Sequence, residues 1–126
     1  MKGKKKEQPK NTETKIIRHV FRLPIEEGDK VSLAINDRTY EVINLGTKGI
    51  GILIDEDDAF AAGQSLDKVV LHLDAERLQL TGRVVHVSPR EFQLICGIEF
   101  VQMTRDEENK MMNFLSRHRE SLFRGN

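Results

Sequence analysis

The chain of 126 residues has one cysteine, Cys96, which excludes an internal disulfide framework and any cysteine-rich zinc site. It has no long apolar run. The longest clean one, Ile50 to Ile54, contains a glycine and falls far short of the roughly 18 residues of a membrane span. A secretory leader needs about 7–15 apolar residues behind its charges, whereas Glu7 to Thr14 is polar throughout. With its lone thiol, the chain reads as a soluble cytoplasmic protein. Signatures of catalysis are missing as well. There is no Gly-x-Ser-x-Gly elbow, no His-Glu-x-x-His zinc helix and no Walker-type lysine loop. His19, His72, His86 and His118 pair neither with one another at i, i+4 nor with Cys96 at metal-ligand spacing. His72 and His86 fall within strand-like runs and read as ordinary half-buried residues. Cys96, between Ile95 and Gly97, reads as a small core residue, since no neighbour would lower its pKa. Asp55 to Asp58 resembles a calcium loop in charge only. Counted from Asp55, position six is Phe60 and position twelve is Leu66, where such a loop needs glycine and an acid.

An excess of charge of one sign is also lacking: 20 Lys and Arg stand against 20 Asp and Glu. That zero is a cancellation. Residues 1–22 carry eight bases and two acids, a balance of +6, so the remainder of the chain stands at −6. Such asymmetry marks an interaction arm on an acidic body.

Residues 1–14 are poor in apolar side chains and read as a flexible basic tail. From residue 15 the pattern becomes short apolar alternations, and one domain over 15–123 is expected. Val31, Leu33 and Ile35 alternate with polar residues, and Asn36-Asp37 offers a two-residue turn before Tyr40 and Val42. Ile50 to Ile54, Val69 to Leu73, Leu78 to Val87 and Phe92 to Phe100 read as further strands, with turns at Asp74-Ala75-Glu76 and at Ser88-Pro89-Arg90-Glu91. Six or seven strands at this spacing predict a small barrel or sandwich. Thr104-Arg105-Asp106-Glu107 has the form of a capping box. Met111, Phe114, Leu115, His118 and Leu122 then recur at helical spacing, predicting a helix over 105–122. Its apolar stripe should pack on the barrel; partner binding by Met111 and Met112 is the alternative.

Two elements could hold a ligand. Arg18-His19-Val20-Phe21-Arg22 is an Arg-x-x-x-Arg directly before the first strand. Guanidinium groups bind phosphates bidentately and read the O6 and N7 edge of guanine. Asn44-Leu45-Gly46-Thr47-Lys48-Gly49-Ile50-Gly51 joins two strands. Its asparagine is a short donor and acceptor, and its glycines allow positive φ and close backbone approach.

In this order and context the two elements resemble the PilZ domain, the bacterial receptor for cyclic di-GMP. That family has an Arg-x-x-x-Arg, then an (Asp/Asn)-x-Ser-x-x-Gly motif, a six-stranded antiparallel barrel and a C-terminal helix. Gly82-Arg83-Val84-Val85 and Cys96-Gly97-Ile98-Glu99-Phe100 also look like its later strands. The resemblance implies that Arg18 and Arg22 grip guanine and phosphate groups, that Asn44 bonds a guanine edge, and that Gly49 admits the ligand to the backbone. Gly46 stands where the family has serine, so one hydroxyl contact is absent. A lost hydrogen bond to a charged group costs about 1.5–3 kcal/mol, or roughly ten- to hundredfold in affinity. Ile17, where a basic residue tends to accompany two stacked nucleotides, leans toward one.

The resemblance therefore implies a non-enzymatic cyclic di-GMP sensor that uses no cofactor or metal and signals by ordering its arginine segment over the ligand, toward a downstream protein partner. The alternative is a PilZ-like interaction adaptor that no longer binds nucleotide, for which Gly46 speaks. Nucleic-acid polymer is not expected as a partner. Phe21 alone among aromatics accompanies the bases, and the body is acidic.

Overall fold

The computed structural model describes residues 23–26 and 28–124, and the side chains among them as far as residue 119. The basic tail over 1–14 and both arginines of the Arg-x-x-x-Arg lie outside the described residues.

The strands are β1 (Leu23–Pro24), β2 (Val31–Ile35), β3 (Arg38–Tyr40), β4 (Val42–Leu45), β5 (Gly49–Ile54), β6 (Ser65–Leu73), β7 (Glu76–Arg90) and β8 (Gln93–Val101), and one helix follows, α1 (Arg105–Arg124). All pair antiparallel in one sheet, ordered β1-β4-β5-β8-β7-β6-β2-β3. The expected barrel has six strands and the sheet has eight. The difference is physical. β3 and β4 are one run interrupted at Glu41, whose carbonyl accepts from the Leu53 N–H at 3.0 Å. This bent run pairs with β2 on one side and β5 on the other, so it curls the sheet on itself. β1 is a two-residue edge strand containing Pro24, a place where a missing N–H costs no ladder bond.

Alternation decides which residues face inward. Leu33, Leu45, Ile50, Ile52, Leu71, Leu73 and Ile98 are fully buried, as period-two patterning in a half-buried sheet requires. Cys96 lies among them, and burial pushes its thiol up to about 11, which leaves it an unreactive core residue. The Asn36-Asp37 turn forms as expected, with φ of 53° and 70°. Asn and Asp tolerate the left-handed region that this tight turn demands, so no glycine is needed. The turn expected at Ser88 to Glu91 falls later, at Glu91-Phe92, where Glu91 has φ 51°. Proline does not end β7 because its pairing with β6 extends only to Arg83. Beyond that point β7 is an edge, and Pro89 costs nothing there.

The acidic stretch after β5 is a structural turn. Asp58, whose side chain is 4% exposed, pairs with Arg38 at 2.8 Å. It also accepts from the Asp55 N–H at 2.8 Å and the Tyr40 hydroxyl at 3.3 Å.

At the start of α1 the capping box closes in both directions. Glu107 N–H donates to Thr104 Oγ1 at 3.1 Å, and Thr104 N–H donates to Glu107 Oε1 at 3.0 Å. Met111 and Leu115 are buried against the sheet, while Met112 is 54% exposed. Thr104→Ala is expected to destabilise the domain by about 1 kcal/mol in urea unfolding, since it orphans a helix-terminal donor. Among the described residues no helix is long and apolar enough to cross a membrane.

Candidate functional site

The Asn44 motif occupies the hairpin between β4 and β5. Gly46 N–H donates to the Gly49 carbonyl at 2.9 Å, leaving Thr47 and Lys48 at the tip. Asn44, Gly46 and Gly49 are thus brought together. Of the described glycines only Gly63 has positive φ, so the expected use of left-handed geometry in this motif does not hold. What these glycines contribute is the absence of a Cβ.

Inward positions on β5 and β8 are Ile50, Ile52, Cys96 and Ile98, so the residues between them face outward. The register aligns Asn44 with Gly51, Gly51 with Gly97, and Gly97 with His86. Beside that row, Gly49 pairs with Glu99 and Glu99 with Arg83. The outer face beside Asn44 therefore carries four glycines, Gly46, Gly49, Gly51 and Gly97, all of them buried, with longer side chains over Gly51 and Gly97.

Two bulges set the directions of those side chains. One lies between Val42 and Asn44 on β4, the other between Val84 and His86 on β7. A bulge inserts one residue and re-aims the next; here Ile43 and Val85 are the insertions. Asn44 leans over Gly51: a Cβ there would lie 2.7 Å from Asn44 Oδ1. Across the sheet His86 leans over Gly97, where a Cβ would lie 2.6 Å from Nε2. His86 and His72 are both exposed, a correction to their expected half-burial. Arg83 pairs with Glu99, which offsets the carboxylate nearest these glycines. Among the described residues no group of three or more His, Cys, Asp or Glu is placed to hold a metal ion.

The motif is tied to α1. Lys48 Nζ lies 3.6 Å from Glu108 Oε2 in the helix's first turn. On the next strand over, Pro24 pairs with Asn44, and the Pro24 carbonyl lies 3.3 Å from His118 Nε2, which donates to it. His118 is also 3.6 Å from Asp29 Oδ2.

Sequence reasoning reaches Asn44, Gly46 and Gly49 and misses Gly51, Gly97 and His86. Gly51 and Gly97 do carry a signal: each stands at an outward position of a strand whose inward positions are large and apolar. His86 carries none, because one inserted residue decides which way it faces.

A family model for the PilZ domain matches residues 16–117. No curated protein matches the chain. Among solved structures, the K. pneumonia MrkH–c-di-GMP complex superposes with a TM-score of 0.75 at 10% identity, covering 84% of this chain and 54% of that one. YcgR from Escherichia coli in complex with c-di-GMP gives 0.67 at 14% identity, covering 83% and 47%. The chain therefore spans about half the length of these two proteins. The PilZ domain of YcgR alone, with c-di-GMP, gives 0.67 at 12% identity and is covered over 94% of its length.

Proposed function

Because this chain belongs to the PilZ domain family, we propose that it is a non-enzymatic sensor of cyclic di-GMP, with Arg18, Arg22, Asn44, Gly46 and Gly49 forming the ligand site. The observation that carries this is the β4–β5 hairpin, which brings Asn44, Gly46 and Gly49 together beside β1. β1 follows Arg22 in the sequence and pairs with β4 at Asn44. Arg18 and Arg22 hold guanine edges and phosphates through charge-assisted, bidentate bonds. Asn44 bonds the guanine edge, and Gly49 admits the ligand to the backbone.

Signalling follows from ordering. A cationic segment folds over a dianion, and the entropy of ordering it is offset by the new bonds. The His118–Pro24 and Lys48–Glu108 contacts connect that event to α1, which with the ordered segment presents a surface to a downstream protein.

Calorimetric titration of the full chain with cyclic di-GMP tests this. Arg18→Ala and Arg22→Ala are each expected to weaken binding roughly ten- to hundredfold. No heat from the wild type at high micromolar ligand overturns the sensor reading. Gly46 supports the second reading, an interaction adaptor without nucleotide. That reading gains if Gly46→Ser, which restores the family's hydroxyl, also stays silent.

A further inference from the structure

We propose that Lys48 is a further ligand-binding residue: on binding, its ammonium leaves Glu108 of α1 for a phosphate of the nucleotide, so ligand and helix compete for one cation. This rests on the cyclic di-GMP reading and adds to it a charged residue between Gly46 and Gly49.

Position supports it first. Lys48 carries the only charge over residues 44–51 and stands next to Gly49, where the ligand is to approach the backbone. Neighbouring Cα atoms are about 3.8 Å apart, and lysine carries a compact charge at the end of a flexible four-carbon stem. A phosphate at Gly49 is therefore within reach of this ammonium. The backbone around it is fixed. Gly46 N–H donates to the Gly49 carbonyl at 2.9 Å, and Phe100 N–H donates to the Lys48 carbonyl at 2.8 Å. The Lys48 side chain is 70% exposed, so it can turn without disturbing the hairpin.

The present partner is also one that Lys48 can give up. Nζ lies 3.6 Å from Glu108 Oε2, and an ion pair of this length at the surface is weak. The other acids in the first turn of α1 have partners elsewhere: Glu107 closes the capping box, and Asp106 lies 3.3 Å from Lys110. Glu108 without Lys48 stays in the first turn, where the helix dipole favours a carboxylate. A phosphate held by a charge-assisted bond offers Lys48 the stronger partner. The exchange frees the first turn of α1 from the hairpin whenever ligand is bound.

The test titrates cyclic di-GMP into the full chain by calorimetry. Lys48→Met is expected to bind about tenfold more weakly than wild type, and Lys48→Arg nearly as well as wild type. Glu108→Gln removes the competitor and is expected to bind about two- to fivefold more tightly. That gain is expected to vanish in the Lys48→Met background. Both side chains lie at the surface, so each variant should melt close to wild type. If the wild type binds while Lys48→Met binds equally well, or Glu108→Gln does not tighten binding, the exchange is overturned and the sensor reading stands. A gain from Glu108→Gln that persists without Lys48 overturns it too, since the acid then acts only by repelling the ligand. If the wild type shows no binding, both fall.

Discussion

Met111→Ala is expected to destabilise the domain by about 2–5 kcal/mol, the usual cost of truncating a fully buried side chain and leaving a cavity. Among the described side chains of α1, Met111 has no exposure at all, and Leu115 lies one turn further on the same face. Phe114 joins them at the edge of the core and stacks on His118, with ring centroids 5.7 Å apart. The helix thus docks on the curled sheet through a narrow stripe, and Met111 is its centre. Against a total of about 5–15 kcal/mol for a domain, the loss is large enough to read as a shifted urea midpoint at unchanged slope. Met112→Ala is the matched control. Met112 is 54% exposed, and its truncation should stay within about 0.5 kcal/mol. Equal costs for the two would show that the stripe does not dock as described.

Much of this is legible in the sequence, because local physics decides it. The capping box, the Asn36-Asp37 turn, the inward isoleucines of β5 and the methionine stripe each follow from residue type and period alone. The elements that differ from expectation depend on partners far along the chain. Glu41 breaks one strand into two because the run must pair with β2 before the bend and β5 after it. Pro89 continues a strand because the pairing with β6 has already ended at Arg83. In the site, Asn44, Gly46 and Gly49 are contiguous enough to form a motif. Gly51 and Gly97 join each other only through a register between strands more than forty residues apart, and His86 only through a bulge. Neither bulge has a compositional mark, since Ile43 and Val85 are ordinary strand residues.

Gly51→Val is expected to abolish most ligand binding while the domain stays folded, a combination that separates the site from the scaffold. The position lies on the outer face of β5, buried beneath the Asn44 side chain. Its new Cβ would meet Asn44 Oδ1 at 2.7 Å and Nδ2 at 2.9 Å. Those atoms end a side chain that can turn, but Asn44 also holds a partner of its own, so the amide yields at a cost of about 1–3 kcal/mol in urea unfolding. Binding suffers twice. On the proposed reading the Asn44 bond to the base is misaligned, and a branched side chain enters the site. Affinity for cyclic di-GMP is expected to fall by about a hundredfold or more. Gly82→Val provides the opposite outcome. Gly82 faces inward, where a Cβ would lie 2.8 Å from Ile98 Cγ2 and 3.3 Å from the Glu99 carbonyl oxygen. Neither neighbour can yield freely, so overpacking should cost about 1–3 kcal/mol. The outer face beside Asn44 stays intact, and folded Gly82→Val should bind as wild type does. Wild-type affinity in Gly51→Val would place the ligand elsewhere on the molecule, since Asn44 cannot keep its place over a valine.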